Sequence, residues 1–211
     1  MRSVMFLWMA LTCCCHATAQ YAGYVLLPDI AGFSSKFNAA SRQTNSIQCD
    51  FVQEKNLSML SEKIVSKGKF WFKKENQVRM EYTQPFRYLM ILSNNEVYIR
   101  DGDRENKISA KSNKLFKQIN QVIIDCVKGT ALTNPDFSVR VFESAQNYLI
   151  ELSPASKSLK DFFQHINIVI DKKNYTASKM EMLEQSGDNT VITFINKELN
   201  TPIADALFTT H

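Results

Sequence analysis

The sequence predicts a mainly β, α+β fold: an antiparallel barrel or half-barrel of about ten or eleven strands with two helices across its mouth. Three observations lead there. From Ile47 onward most of the chain alternates apolar and polar side chains with a period of two, the mark of half-buried strands. The alternating runs follow one another in meander order through short polar turns such as "DKKNY" and "SGDNT", without the βαβ rhythm of a parallel sheet. A sheet of that many strands curls, because each strand twists against its neighbour.

The first residues stand apart from that domain. "MRSVMFLWMALTCCCHATAQ" has a positive n-region at Arg2 and an apolar run from Val4 to Cys15, too short to span a bilayer as a helix. The small-x-small pattern "ATA" follows at 17–19. A signal peptide over 1–19 is predicted, cleaved after Ala19, followed by one domain over 20–211. Residues 28–45 read as a helix: Pro28 suits a first turn, and Ile30, Phe33, Phe37 and Ala40 recur at spacings of three and four.

Ile47, Cys49 and Phe51 then share one face of a strand, against Gln48 and Asp50. Strands are predicted near 64–73, 77–83, 87–93 and 96–100, and "DGDREN" at 101–106 turns the chain into a short one near Ile108. Within "GKFWFKKENQVRMEYTQPF", residues 68–86, Phe70 and Phe72 share one face, and Val78, Met80 and Tyr82 one face of the next strand. Lys69, Lys73, Arg79 and Glu81 take the opposite faces.

The pattern breaks at "SNKLFKQINQVIIDCVKG", 112–129, which reads as a helix capped by Ser112 or Asn113 and closed by Gly129. Its apolar stripe is Leu115, Phe116, Ile119, Val122, Ile123 and Cys126. "TNPD" at 133–136 returns the chain to strands near 137–143, 146–153, 160–171, 175–185 and 189–197, with a short one near 203–208.

A chain of 211 residues, 22% charged and 45% hydrophobic, suits one domain with a sizeable core. Its net charge of +4 falls to about +3 without Arg2, too mild a balance to argue for nucleic acid. Of five cysteines, the three at 13–15 lie in the leader, leaving Cys49 and Cys126. Two cysteines in an exported chain can make one disulfide but not a disulfide scaffold. Cys49 is in phase with Ile47 and Phe51, and Cys126 lies on the helical stripe, so both face inward. A disulfide there would pin the helix, and two free buried thiols are the expectation.

Catalytic signatures are absent from the sequence. His165, in "FFQHINIVI", falls opposite the face of Phe162, Ile166, Ile168 and Ile170 and reads as solvent-facing. No metal-ligand spacing, glycine-rich phosphate loop or G-x-S-x-G elbow occurs. Asp101 and Asp103 around Gly102 lack the later ligands of a calcium loop and read as a turn. The expectation is no catalytic residue, no metal, no cofactor and no enzyme.

"CDFVQEKNLSML", "SKGKFWFKKENQVRMEYTQP" and "YLMILSNNEVYI" together resemble the periplasmic outer-membrane lipoprotein carrier family, LolA. That family shows an F-x-Q-x-K strand, here Phe51, Gln53 and Lys55. A G-x-[aromatic/Leu]-W/Y strand follows, here Gly68, Phe70 and Trp71. Then come a basic turn, Lys73-Lys74, and a strand ending in T-Q-P, Thr83-Gln84-Pro85. The motif match covers about 49–99, while the element order extends over nearly the whole mature chain.

The resemblance implies an unclosed antiparallel barrel with a helical lid over an apolar cavity. It implies a periplasmic, monomeric carrier that shelters acyl chains of lipoproteins travelling from the inner to the outer membrane. Its partners would be acylated lipoproteins, an inner-membrane release machinery and an outer-membrane acceptor. By resemblance, Lys74 occupies the place of a basic residue, often arginine, at the barrel rim. Met80 sits where some members carry tryptophan, and Glu75 replaces the proline common after the basic residue.

The expected cavity lining is Phe51, Phe70, Phe72, Val78, Met80, Tyr82, Met90, Met180 and Met182, with Leu115, Phe116, Ile119, Val122 and Ile123 on the lid. Unbranched methionines adapt to variable shapes, which suits lipid tails, but the same residues also suit an ordinary packed core. Lys73, Lys74 and Arg79 are the expected rim residues. With Lys69 and Arg87 they make either a basic docking surface or a solvated strand face. The alternatives are a carrier or sensor for another amphiphile on the same fold or, more distantly, an enzyme that uses the cavity.

Overall fold

The computed structural model describes residues 21–74, 76–93, 96–102, 104–109 (backbone only), 122, 124–125 and 129–209. The chain opens with a two-residue strand, β1 (Val25–Leu26), and helix α1 (Ala31–Gln43). A first meander follows: β2 (Ser46–Asn56), β3 (Lys63–Lys73), β4 (Gln77–Gln84), β5 (Tyr88–Ser93), β6 (Glu96–Asp101) and β7 (Arg104–Ser109). Val122, Ile124 and Asp125 are helical in the connection to the second half. The second meander is β8 (Phe137–Glu143), β9 (Asn147–Pro154), a helical turn α2 (Lys157–Lys160), β10 (Phe163–Asp171), β11 (Ala177–Glu184) and β12 (Asn189–Leu199). A 3-10 turn, Asp205–Phe208, comes last.

The 12 strands form one antiparallel sheet in the order β1-β8-β9-β10-β11-β12-β2-β3-β4-β5-β6-β7. The two meanders therefore join edge to edge through β12 and β2, with Phe194 opposite Phe51 and Thr193 opposite Val52. The outermost strands are β1 and β7, and they do not pair, so the barrel is unclosed.

Register places an apolar row on each side of the seam, the first reaching it at Cys49 and the second at Ile192, which stands opposite Gln53. On one side of the seam, Ile99 faces Met90, Met90 faces Met80, Met80 faces Phe70, and Phe70 faces Cys49. On the other, Ile192 faces Met180, Met180 faces Ile168, Ile168 faces Ile150, and Ile150 faces Val141. Helix α1 lies against this second half. Its Phe33 and Phe37, four residues apart, stack at 5.5 Å between ring centroids, and Phe33 also meets Tyr148 and Tyr175. Gly129, at φ +76°, lies close against α1: a Cβ there would lie 2.8 Å from Asn38 Oδ1 and 3.1 Å from Ser41 Cβ.

Several boundaries differ from the sequence expectation. The turn expected over 101–106 gives way to strand at both ends, with β6 running through Asp101 and β7 starting at Arg104. The first helix starts at Ala31 rather than Pro28, because Asp29 Oδ1 accepts from the Ala31 amide at 2.9 Å. The strand expected over 160–171 begins at Phe163, after the α2 turn. Val25–Leu26, too short to show alternation, pairs with Phe142 and Glu143 and adds a strand. The strand expected near 203–208 is the 3-10 turn, whose Leu207 and Phe208 pack with Ile203 on the convex face over Trp71, Leu89, Ile91 and Tyr98. The expected helix over 112–129 lies largely outside the described residues.

Candidate functional site

The concave face carries every sheet residue expected to line a cavity. Phe51, Phe70, Phe72, Val78, Met80 and Met90 are buried in one cluster, with Tyr82 partly buried against it. Met180 belongs to the cluster beneath α1, and Met182 packs against both. Val122 joins Phe33 and Phe37. Leu115, Phe116, Ile119, Ile123 and Cys126 lie outside the described residues. Ile124, left out of the expected stripe, is buried among Phe70, Met80 and their neighbours.

These side chains pack against one another. Phe51, Phe72 and Val78 are each 1% exposed. Among the described residues, a cavity of about 40 Å³ lies where the two meanders meet beneath the C-terminal end of α1. Ile47, Cys49, Phe70, Met180 and Phe194 form its apolar wall. Ser41, Thr44, Thr176 and Lys197 form its polar side. This cavity holds a few waters, not an acyl chain.

A β-bulge brings Lys197 to this cavity. Ile192 and Phe194 face inward, so strict alternation would send Asn196 in and Lys197 out. The register slips between Ile195, opposite Asp50, and Glu198, opposite Gln48, so two residues oppose Cys49. Asn196 takes φ 54°, and its amide donates to Asp50 Oδ2 at 2.9 Å, which holds the bulge. The slip turns Lys197 inward. Its Nζ donates to Thr176 Oγ1 at 2.8 Å and to the Ala177 carbonyl at 3.1 Å. Burial pulls its pKa below the usual lysine range, against the opposing charge of Asp171. The Cys49 thiol is free and buried, and burial pushes its pKa up to about 12. Sequence reading missed Lys197. The available signal was the parity change between the inward pair Ile192 and Phe194 and the inward Leu199.

The expected rim cations hold structural partners. Lys73 Nζ donates to Asp205 Oδ1 at 2.5 Å and to the Ile203 carbonyl at 2.9 Å. Arg79 donates to the Leu207 carbonyl at 3.0 Å and to Glu81 Oε2 at 2.7 Å. Both thus hold the C-terminal turn on the convex face. Lys74 donates to the Arg42 carbonyl at 2.6 Å, at the end of α1, and to Asn45 Oδ1 at 3.0 Å. Lys69 pairs with Asp50 at 3.2 Å, while Arg87 is exposed. Among the described residues, no group of three His, Cys, Asp or Glu side chains could hold a metal ion. No helix among them is long and apolar enough to cross a membrane.

The fold is an open β-cradle with a helix laid over an apolar concave face. The chain belongs to the family of the outer membrane lipoprotein carrier protein LolA, whose model matches residues 42–211. Solved structures share the fold at low identity. An uncharacterized conserved protein from Thermus thermophilus matches with a TM-score of 0.53 at 10% identity, over 87% of this chain and 94% of that one. A chain of the MucA/MucB complex from Pseudomonas aeruginosa matches with a TM-score of 0.51 at 14% identity, over 87% of this chain and 62% of that one. A LolA superfamily protein from Nitrosomonas europaea gives a TM-score of 0.45 at 10% identity, over 84% of this chain and 97% of that one. No curated protein matches the chain.

Proposed function

We propose that this protein is a periplasmic carrier that shelters the acyl chains of lipoproteins and moves them from the inner to the outer membrane. The observation that supports it most is the pair of apolar rows on one face of an unclosed sheet, from Ile99 to Cys49 and from Ile192 to Val141, in a chain of the lipoprotein carrier family. Residues 20–211 are the carrier domain and 1–19 a removed leader. It works as a monomer, without cofactor or catalysis. An inner-membrane release machinery supplies the cargo, and an outer-membrane acceptor takes it.

The packing of the described concave-face side chains on one another fits this role energetically. Each methylene sheltered from water is worth roughly 0.8 kcal/mol, so cargo binding is strong in gross terms. A carrier must also give the cargo up. When the empty cradle packs its own side chains together, release exchanges lipid burial for side-chain burial. The methionines suit that exchange, because an unbranched thioether repacks in many shapes.

Native mass spectrometry of the protein purified from its own periplasm tests the reading. The expected result is a fraction carrying an acylated protein. A protein that emerges empty, and after delipidation binds no fluorescent acyl probe, would refute it.

A further inference from the structure

Lys197 has a use that closing the seam does not require. Burying an ammonium costs free energy unless it is fully partnered, and an apolar residue would finish this wall without that cost. The ammonium has three N–H donors. Two go to Thr176 Oγ1 and the Ala177 carbonyl. The third has no acceptor among the described residues, and no carboxylate lies within ion-pairing distance of Nζ among them. The charge therefore sits at the border of an apolar cavity with donor capacity to spare. The bulge that turns it inward is itself fixed by Asn196 and Asp50.

We infer that Lys197 is the head-group residue of the cradle. Its spare N–H takes the acyl-carbonyl oxygen, ester or free carboxylate, at the polar end of an acyl chain. The chain itself extends along Ile47, Phe70, Met180 and Phe194, past side chains that must part to admit it. Position decides the role: Lys197 lies at the junction of the two meanders, where a chain's apolar part can enter either half of the concave face. The inference rests on the carrier reading and adds to it a determinant of cargo chemistry.

The delipidated mature protein is titrated with a pyrene-labelled fatty acid, its methyl ester and the matching pyrene-labelled alkane. Wild type is expected to bind the acid about tenfold or more tighter than the alkane, the gain of a charge-assisted hydrogen bond. Lys197→Met, which keeps an apolar wall, is expected to bind all three as the wild type binds the alkane. Lys197→Arg is expected to restore the preference for the acid. A gain for the acid alone identifies a free anionic amphiphile as the source of the head group. A gain for acid and ester alike identifies an esterified anchor; either result supports the assignment when Lys197→Met abolishes the gain, and a gain that survives Lys197→Met overturns it. Equal affinity of the wild type for all three probes overturns it, whatever the variants do, and leaves the carrier reading standing. Failure to bind any probe removes the carrier reading and this inference with it.

Discussion

Gly68 explains why the sequence spells glycine where the third strand begins its buried stretch. It lies opposite Phe51 on one neighbour and Tyr82 on the other, and the Phe51 ring crosses the space where a side chain would stand. A Cβ would lie 2.1 Å from the Glu81 carbonyl oxygen and 2.6 Å from Phe51 Cζ. Backbone cannot give way as a flexible side chain can. Gly68→Ala is therefore expected to lower the urea-unfolding free energy by at least about 2 kcal/mol. Gly32→Ala, with nothing within 4 Å of the added methyl in exposed α1, should instead stabilise by up to about 1 kcal/mol. A Gly68→Ala protein as stable as the wild type would show that the strands do not approach as described. On the convex face, Glu151 is 2% exposed and accepts hydrogen bonds from Tyr21, Arg140 and Ser153. Burial pushes its pKa up, but those bonds and the Arg140 charge outweigh burial and hold the carboxyl below its ordinary 4.5. A folded pKa below the unfolded one means stabilisation that is complete above the unfolded value and lost as pH falls through the folded one. Glu151→Gln should accordingly flatten the acid limb of stability against pH below about pH 5. An unchanged limb would remove this carboxyl from the account.

The C-terminal turn shows which forces hold an element in place. Three kinds of contact fix Asp205–Phe208: the ion pair of Lys73 with Asp205, the hydrogen bond from Arg79 to the Leu207 carbonyl, and the burial of Phe208 against Trp71, Leu89, Ile91 and Tyr98. The Asp205 side chain is 80% exposed, and an exposed pair is worth about 1 kcal/mol at most. Phe208 is 3% exposed, and removing a buried ring costs about 3–5 kcal/mol. Asp205→Ala should then be nearly silent in chemical denaturation, while Phe208→Ala is costly. Equal losses would mean that the ion pair seats the turn as strongly as the ring does. This element also marks a limit of reading by alternation. Ile203, Leu207 and Phe208 are spaced by four and one, which suits a turn, but the window is too short for the period to declare itself. The long strands, with five or more alternating positions, were legible almost to the residue. The β1 strand, two residues long, offered no pattern at all.

At the scale of the molecule, each meander was legible because consecutive strands pair locally. The seam between β12 and β2 was not, since it joins residues 189–199 to 47–56 and no local pattern records so distant a pairing. The apolar half of the site followed from alternation, at Phe70 and Met180. The polar half did not, because the bulge at Asn196 reverses parity and alternation places Lys197 in water. On the carrier reading the seam bears on how an acyl chain would enter. The cavity beside it is about 40 Å³, so a chain lodged there would require the two halves of the concave face to part. Cys49, 4% exposed and facing that cavity, reports such parting. With its pKa pushed up to about 12 by burial, the closed form offers little thiolate to a reagent. Labelling must await opening. In a Cys126→Ser background, Cys49 should react slowly, with a rate that rises only shallowly with urea, since partial opening exposes less surface than unfolding. An acyl probe at ten times its Kd should slow that reaction about tenfold, because bound ligand depletes the reactive free form in proportion to one plus the ratio of ligand to Kd. A rate indifferent to saturating probe would place the cargo elsewhere on the molecule. A steep urea dependence would mean that Cys49 is reached only by global unfolding, and that the seam does not open by itself.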